Sequence, residues 1–312
     1  MPNQVTHDRI ASLRERYLAL SEAMPEAITQ FALAEIPEMV YNSNAIENST
    51  LTLQDTEDIL LRDAISRDHD VREIFEAKNL ARITEFLLAN PNLPLTSQLI
   101  LDLHAMLLGG IRDDWAGRFR HGKEWVRVGA HVGANPDFVS GLVSGLIADY
   151  HERMAQTPDD FVAAIGWFHA EFEIIHPFND GNGRLGRVLI NHQLALLNLP
   201  PIIVPNKGKR TAYYPLFDAY RVSAKSDGFT ELVGSLLIEA LHRRIALLTA
   251  PKLITVSAWA KQHGIAGNSA INKATRGTIP AFRLRGKWMI AADHAPHALN
   301  ARVRSTSPDA RA

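Results

Sequence analysis

The stretch HPFNDGNGRLGR, residues 176–187, decides both the expected fold and the expected chemistry of this chain. Ahead of it runs FVAAIGWFHAEFEII, residues 161–175, whose apolar spacing predicts a buried helix. Gly181 and Gly183 carry no Cβ, so the backbone can turn successive N–H groups inward and form a nest for an anion. Helical spacing resumes after the glycines, which places this nest at a helix N-terminus, where phosphate is favoured.

The charged residues of the stretch fit the same chemistry. Arg184 and Arg187 are three residues apart and share one face of the first helical turn. Two guanidiniums oppose the helix dipole there unless an anion lies between them. Asp180 can hold a Mg²⁺ that bridges phosphate oxygens, and His176 titrates near neutral pH and suits a general base. A capped turn with surface arginines and a packed histidine is the alternative, but it leaves this conjunction unexplained.

Composition excludes several classes of protein. The chain has 312 residues, 46% of them hydrophobic, which is enough for sizeable cores and favours two domains. With no cysteine, disulfide frameworks and thiolate metal sites are excluded. The N-terminus lacks the apolar segment of a secretory signal, and no run of 18 apolar residues is present. We therefore expect a cytoplasmic protein with no part in the membrane.

Charge and periodicity divide the chain. Residues 251–312 carry ten Lys and Arg against two Asp and Glu, whereas the rest carries 23 against 32. Helical periodicity dominates to about residue 248. The exception is EWVRVGAHVGANPDFV, residues 124–139, whose alternation around glycines predicts a short hairpin. We predict a basic C-terminal domain at 251–312, preceded by an N-terminal helical region at 1–110 and a core that contains the hairpin at 111–250.

The stretch at 176–187 resembles the signature of the Fic (Fic/Doc) family, H-x-F-x-D/E-G-N-G-R-x-x-R, and matches it at every fixed position. The resemblance implies a mainly α fold, with a Fic-type helical core and a small β-hairpin flap. It also implies a protein adenylyltransferase, which moves AMP from Mg-ATP to a Ser, Thr or Tyr hydroxyl of a target protein. The segment LHAMLLGGIRDDWAGRFR, residues 103–120, is similar to the family's segment ahead of the flap.

The resemblance also implies a role for each residue of the stretch. His176 would deprotonate the target hydroxyl, Phe178 would anchor the loop in the core, and Asp180 would hold the metal. Asn182 and the glycine amides would hold the α- and β-phosphates, and the two arginines the outer phosphates. The ATP-binding residues expected here are Asp180, Gly181, Asn182, Gly183, Arg184, Leu185, Gly186 and Arg187.

Two further segments resemble parts of the family's nucleotide site. The hairpin would be the flap, whose edge pairs with an extended target segment; the residues expected at the nucleotide are Val128, Gly129, Ala130 and His131. AYYPLF resembles a tyrosine pair near adenine, so Tyr213 or Tyr214 would contact the base. Arg221 stands where some relatives have an asparagine, which leaves the nucleotide choice open. A hairpin without a role and two core tyrosines are the alternatives.

SNAIENST, residues 43–50, matches a second family pattern, [S/T]-x-x-x-E-[G/N], through Ser43, Glu47 and Asn48. Without the resemblance, it is a helix C-terminus capped by Asn48. With it, Glu47 is an inhibitory residue that would pair with Arg187 and occupy the guanidinium that the γ-phosphate needs. Ser43 would steady that helix. In some relatives the same glutamate positions a water that removes AMP, so de-adenylylation stays open.

The C-terminal segment predicts a helix, a turn and a second helix, then two short strands around Arg285 and Gly286. This pattern resembles an excisionase-type winged helix-turn-helix domain. Lys273 and Arg276 on the second helix, with basic residues on the wing, would meet DNA phosphates. A docking surface for a protein, or for a second copy, is the alternative.

Three other functions remain open at this point. Some Fic relatives transfer phosphate or phosphocholine, although the complete G-N-G-R-x-x-R favours the ordinary ATP orientation. Another alternative is a DNA-binding regulator whose Fic-like region only senses nucleotide. Such a role does not need His176. Self-modification and a homodimer are compatible with the resemblance, and the target protein is not identified by the sequence.

Overall fold

Apolar segments at helical spacing form most of the secondary structure in the computed structural model, which describes residues 4–65, 68–129 and 131–296. The described residues form two units, with the boundary between Leu248 and Thr249. The helices of the first unit are α1 (Gln4–Ala23), α2 (Pro25–Ala34), α3 (Ile36–Ile46), α4 (Leu53–Leu61), α5 (Val71–Ala89), α6 (Ser97–Leu108), α7 (Val139–Gln156), α8 (Phe161–Ile175), α9 (Asn182–Ala195), α10 (Tyr214–Ser223) and α11 (Asp227–Thr249).

Helix α8 is the centre of the first unit, because it is apolar around most of its circumference. It packs against α7 and α9, while α5 packs against α3, α6 and α9. The buried apolar residues of α8 are Phe161, Val162, Ala164, Ile165, Phe168, Ala170, Phe172 and Ile175. Burial of each large side chain among them contributes about 1.5–3 kcal/mol to folding. The stretch at 176–187 therefore begins at the end of this buried helix and leads into α9, its equally buried neighbour.

The predicted hairpin is present as two antiparallel two-residue strands, β1 (Arg127–Val128) and β2 (His131–Val132). The mainly helical architecture with one small antiparallel sheet confirms the fold class expected for the core. Phe138 lies just beyond the hairpin, in a single 3₁₀ turn that leads into α7. Both strands expose side chains, with Val128 54% exposed, so contacts with the core come from only a few residues.

The first turn of α3 is fixed by a buried ion network. Glu35, at the N-cap, accepts from Arg244 at 2.8 and 2.5 Å and lies 2.7 Å from Nε of Arg243. Arg243 also donates to Glu38 at 3.0 Å. Glu35 and Arg244 are 5% and 1% exposed, so each needs the other to neutralise its charge. The network ties α3 to α11 and sets the direction in which α3 runs.

The second unit has a small core of its own around Trp259, which is fully buried. Its described elements are β3 (Leu253–Thr255), α12 (Val256–Gln262), α13 (Gly267–Thr275), β4 (Phe282–Leu284) and β5 (Lys287–Ala291). Strand β5 lies between β3 and β4 and is antiparallel to both. The sequence had predicted the two helices and the hairpin at Arg285 and Gly286, but not β3.

A helix that crosses a bilayer must be both long and apolar. Within residues 4–65, 68–129 and 131–296, no helix meets both requirements.

Replacing Glu35 should destabilise the first unit strongly. Glu35→Ala leaves the buried Arg244 guanidinium without its carboxylate, which we expect to lower the free energy of unfolding by about 3–5 kcal/mol. Urea unfolding followed by far-UV circular dichroism measures this change. Glu22→Ala, at an exposed position on α1, is the matched control and should change the value by less than about 0.5 kcal/mol. A loss below about 1 kcal/mol for Glu35→Ala would contradict the network's role.

Candidate active site

A cavity of about 800 Å³ opens where α8 ends and α9 begins, and it collects most of the residues that the sequence predicted. Its size suits a nucleotide-sized ligand. The predicted residues that line it are Glu47, Asn48, Val128, Gly129, His131, His176, Asp180, Gly181, Asn182, Gly183, Arg184, Arg187, Tyr213 and Tyr214. Of the other predicted residues, Ser43, Leu185 and Gly186 do not line it, and Ala130 lies outside the described residues.

The loop between the two helices is held from inside the protein. His176, the C-cap of α8, has a left-handed backbone with φ 51°, which turns the chain sharply. Arg120, 1% exposed, donates from Nε to the carbonyl of His176 at 2.7 Å and from Nη2 to that of Ile175 at 2.9 Å. The main-chain N–H of Arg120 donates to Pro177 at 3.0 Å. A buried guanidinium thus fixes the backbone on which the predicted base stands.

Phe178 anchors the same loop in the core. Its ring is fully buried and stacks on His104 with 3.7 Å between ring centroids. His104 accepts from the Gly117 N–H at 3.1 Å through Nδ1, so its other nitrogen, Nε2, donates to the carbonyl of Asp180 at 3.1 Å. Burial lowers the pKa of His104 to about 4, which keeps this ring neutral. Both ends of the loop are therefore fixed by side chains beneath it.

Asn182 closes the loop rather than facing the cavity with its side chain. Its Oδ1 accepts from the N–H of Phe178 at 2.9 Å, and its Nδ2 donates to the carbonyl of Phe178 at 2.8 Å. The sequence assigned Asn182 to the phosphates. In the structure the amide side chain bonds the main chain of Phe178 through both Oδ1 and Nδ2, which leaves the main-chain N–H and the second Nδ2 hydrogen for a ligand.

The start of α9 forms the predicted nest. Gly181 is the N-cap with φ 82°, and a Cβ built there would lie 2.9 Å from Leu107, so this position requires glycine. Its own N–H is taken by Oδ1 of Asp180 at 2.6 Å. The N–H groups of the first turn lack helical partners and lie at the cavity. Leu185 is fully buried in the core, so it supports the turn from behind.

Asp180 and Arg184 belong to a charged chain that extends to α5. Asp180 accepts from Arg72 at 2.5 Å and from Arg184 at 3.1 Å. Arg184 is also 3.0 Å from Glu76, which Arg72 reaches at 2.9 Å. Two guanidiniums and two carboxylates alternate, so the charges compensate one another without a ligand. Neither Arg72 nor Glu76 was predicted from the sequence, although both line the cavity.

Arg187 and Glu47 form the ion pair that the inhibitory pattern predicted. Arg187, 7% exposed, donates to Oε1 of Glu47 at 2.8 Å, to Oγ of Ser43 at 3.0 Å and to the carbonyl of Ser43 at 2.9 Å. Burial by itself would lower the pKa of Arg187, but the Glu47 carboxylate holds it above its usual value. Oε1 of Glu47 also lies against Gly183, at the nest. The glutamate therefore occupies both the arginine and the space beside it.

His176 is neutral at physiological pH. Burial, with smaller contributions from neighbouring His131 and Arg120, lowers its pKa to about 4, and the Glu173 carbonyl and Glu47 only partly oppose this shift. Nδ1 lies 3.3 Å from that carbonyl. An acceptor at Nδ1 favours the tautomer with the proton on Nδ1 and leaves Nε2 unprotonated. A neutral imidazole with a bare nitrogen can accept a proton, as a general base must.

The tyrosine pair divides between two tasks. Tyr213 is buried, and its hydroxyl lies 2.7 Å from Nε2 of His169. Tyr214 is 36% exposed at the cavity, and its hydroxyl donates to the carbonyl of Ile46 at 2.6 Å. Tyr214 therefore joins the expected adenine side of the cavity to the end of α3. Arg221, which stands where some relatives have an asparagine, also lines the cavity and pairs with Asp218.

The hairpin contacts the end of α8 through His131. His131 lies with Nε2 2.9 Å from the carbonyl of Ile174, close to the end of α8. Val128 and Gly129 lie at the cavity rim on the same hairpin. The hairpin thus covers the side of the cavity where His176 stands.

Lys209 was missed by the sequence analysis. It opens a π-helical turn, Lys209–Tyr213, and its ammonium donates to the carbonyls of Ala45 and Ile46 at 2.6 and 2.9 Å. It also donates to Oδ1 of Asn48 at 2.9 Å. A lysine at the carbonyl end of a helix stabilises that end, and here it comes from a distant segment. The AYYPLF motif, which begins three residues later at Ala212, was the signal that could have drawn attention to it.

Comparisons with known proteins agree with this geometry. A family model described as the Fic/DOC family matches residues 94–194. A protein adenylyltransferase Fic from Drosophila willistoni is 32% identical over 215 residues, covering 66% of this chain and 41% of that protein. A protein of the same name from Aedes aegypti is 30% identical over 212 residues, covering 66% and 40%. The chain thus spans about two fifths of the length of the curated relatives it matches.

Solved structures share the fold. A Fic domain containing signaling protein from Bacteroides thetaiotaomicron superimposes with a TM-score of 0.68 at 24% identity, covering 77% of this chain and 96% of that one. A Fic family protein from Desulfovibrio desulfuricans has a TM-score of 0.62 at 26% identity, covering 91% and 86%. Fold, motif and family model point the same way: this chain carries a domain of the Fic/DOC family, matched at residues 94–194.

Proposed function

We propose that the chain is a protein adenylyltransferase that moves AMP from Mg-ATP to a Ser, Thr or Tyr hydroxyl and is restrained by Glu47. The observation that carries the proposal is the geometry at the junction of α8 and α9. A neutral imidazole stands beside a nest of N–H groups, and a buried arginine at the nest is occupied by a carboxylate. The curated relatives named protein adenylyltransferase Fic support the same activity.

The chemistry assigned to each group follows from phosphate transfer. His176 would take the proton of the attacking hydroxyl through Nε2, since Nδ1 faces the Glu173 carbonyl. The hydroxyl oxygen then bonds to the α-phosphorus of ATP, and pyrophosphate leaves. The N–H groups of the nest and the guanidiniums would stabilise the charge that develops on the phosphate oxygens. The flap would hold an extended segment of the target beside His176.

Asp180 is suited to the metal. Mg²⁺ is commonly held by one or two carboxylates together with substrate phosphate oxygens, and Asp180 is a carboxylate beside the nest. Among the described residues no cluster of three or more His, Asp or Glu side chains converges as a metal site, which fits a metal that arrives with the nucleotide. When bound, Mg²⁺ would neutralise phosphate charge. Arg72 would have to release Oδ2 of Asp180, with which it pairs at 2.5 Å.

Glu47 restrains the reaction by competing with phosphate for Arg187. The guanidinium is buried, and three of its donated bonds end on Glu47 and Ser43. A γ-phosphate that reached the same place would meet the Glu47 carboxylate, and two negative groups repel at that distance. ATP would therefore be held in an unproductive position until the end of α3 moves.

Removal of this carboxylate should activate the protein. We expect Glu47→Gly to raise AMP transfer, to itself or to a target, on the order of 10²-fold, because one guanidinium becomes available to the phosphates. Intact-mass measurement after incubation with Mg-ATP detects one added AMP moiety. Glu47→Gly combined with His176→Ala should form none, since no base remains. A folded Glu47→Gly protein with no AMP adduct on itself or on proteins of a lysate would contradict the proposed function.

The contacts at the end of α3 should set the strength of the restraint. Lys209→Met removes two hydrogen bonds to the last carbonyls of α3 and one to Asn48, just beyond the helix. A hydrogen bond from a charged donor contributes about 1.5–3 kcal/mol to stability. We expect faster hydrogen exchange at the amides of residues 44–49 and AMP transfer raised about three- to tenfold.

Lys207→Met is the matched control for that experiment. Lys207 is exposed, two residues away, and of the same chemistry. It should change neither the exchange nor the transfer rate. If Lys209→Met behaves like Lys207→Met in both measurements, the end of α3 is not held by Lys209 in the way described.

The second unit offers a further candidate function, DNA binding through residues 251–312. Its two helices and its β4–β5 hairpin are in the order of a winged helix-turn-helix domain. Arg276 at the C-cap of α13 and Lys287 on the hairpin are exposed, and Lys273 on α13 is half-buried. The salt dependence of DNA binding by the full chain tests this proposal. Docking of a protein target, self-modification, a homodimer and a cytoplasmic location remain predictions.

A further inference from the structure

Glu173 is an acidic residue of the cavity that has no role in the AMP transfer proposed so far. It lies in the last turn of α8, three residues before His176, and lines the cavity with about one tenth of its side chain exposed. Its Oε1 is buried and makes no hydrogen bond with any described residue. A buried carboxyl oxygen without a partner is costly, so its position calls for an explanation.

The imidazole of His176 turns back over this residue. Because His176 has a left-handed backbone, its Nδ1 lies 3.3 Å from the carbonyl of Glu173 and 3.8 Å from Oε2 of the Glu173 carboxyl. The carboxyl and the carbonyl of one residue therefore face the same ring nitrogen. The other nitrogen, Nε2, is the one left for a hydroxyl in the cavity.

Charged and titratable groups surround Glu173 on every packed element. Glu47 comes from α3, Arg187 from α9 and Tyr213 from the π-helical turn, and His169 lies one turn earlier on α8 beside Gly186. Burial first, and Glu47 second, raise the pKa of Glu173 to about 8, whereas Arg187 lowers it. The carboxyl is neutral at pH 7 and ionises as the pH rises towards 9.

We propose that Glu173 is a positioning residue for His176: it holds the imidazole with Nε2 towards the cavity and, once ionised, stabilises the imidazolium that forms during transfer. The proposal rests on the proposed function for its catalytic half. The proton of the hydroxyl goes to Nε2 and stays there, so Glu173 takes no proton from the substrate. A carboxylate behind a histidine fixes its tautomer and favours its charged form.

This role of Glu173 predicts how the rate of AMP transfer depends on pH. When Glu173 is a carboxylate, His176 is more basic, so AMP transfer should rise as the pH rises through the titration of Glu173. In the Glu47→Gly protein this range should lie lower, because the carboxylate of Glu47 no longer opposes ionisation of Glu173. The groups that face the ring from other elements, His131 and Arg120, are unchanged in the comparison.

The first measurement is NMR of the full chain with labelled histidine, and His176→Ala assigns the signal. We expect the His176 signal to show a titration step between about pH 7 and 9 that reports Glu173. Glu173→Gln keeps the shape of the neutral acid and should lose the step. Glu85→Gln, at an exposed position on α5, should keep it. A step that survives in Glu173→Gln overturns the proposal, whether or not AMP transfer is found.

The second measurement is kinetic and uses Glu47→Gly as the parent. Adding Glu173→Gln should lower kcat at pH 9 by about tenfold, because the loss of the carboxylate lowers the pKa of His176 by about one unit. It should also abolish the rise of kcat with pH. KM for ATP should stay within about twofold, which a general loss of structure would not produce. Unchanged kcat and pH profile overturn the catalytic half. Absence of AMP transfer in the parent instead refutes the proposed function, and the NMR titration still decides whether Glu173 governs His176.

Discussion

The buried ion pair between Arg187 and Glu47 is the interaction on which the rest of the site depends. It joins α9 to α3 across 140 residues of sequence. The side chain of Arg187 is 7% exposed, and leaving a buried charge unpaired costs about 3–5 kcal/mol. The guanidinium must therefore always have an anionic partner. In this structure the carboxylate of Glu47 fills that role, and in the proposed function a phosphate of the nucleotide would replace it, which makes this position a choice between two states.

The rest of the first unit holds the protein's own partner in place. Glu35 fixes the start of α3 against α11 through Arg243 and Arg244, while Lys209 and Tyr214 bind its last carbonyls. Helix α3 is thus fixed at both ends. A change of state need only displace the last turn, where Glu47 follows the helix, and need not unfold the helix. Tyr214 also lines the cavity, so an occupant of its adenine side would contact the segment that holds Glu47.

Much of the fold and of the site could be predicted because the signals were local. The apolar period of residues 161–175 gave the bounds of α8, and the glycines of 176–187 gave the turn into α9. Helices α2 and α4 are short, nine or ten residues each, which leaves little room for an apolar period. In α4, Thr52 is the N-cap and Asp55 completes the capping box.

Contacts between residues that are far apart in the chain could not be predicted from the sequence. Arg72, Glu76 and Lys209 are ordinary charged residues on or beside helices. Only the folded chain brings the first two to the cavity and Lys209 to the end of α3. The bonds between the Asn182 side chain and the main chain of Phe178 likewise could not be predicted from the motif. A motif names the residues at a site, but it does not say which of their atoms are already engaged. The orphaned carboxyl of Glu173 likewise has no signal in the sequence.

Competition between Glu47 and phosphate for Arg187 is the central claim, and a comparison of ATP with ADP tests it most directly. Isothermal titration calorimetry with Mg²⁺ measures both affinities for the unmodified chain and for Glu47→Gly. The account predicts nearly equal affinities in the unmodified chain, where Arg187 is occupied. In Glu47→Gly, ATP should bind at least about tenfold more tightly than ADP, since a charge-assisted hydrogen bond to the γ-phosphate becomes available. The same ratio of ATP to ADP affinity in both proteins would contradict it.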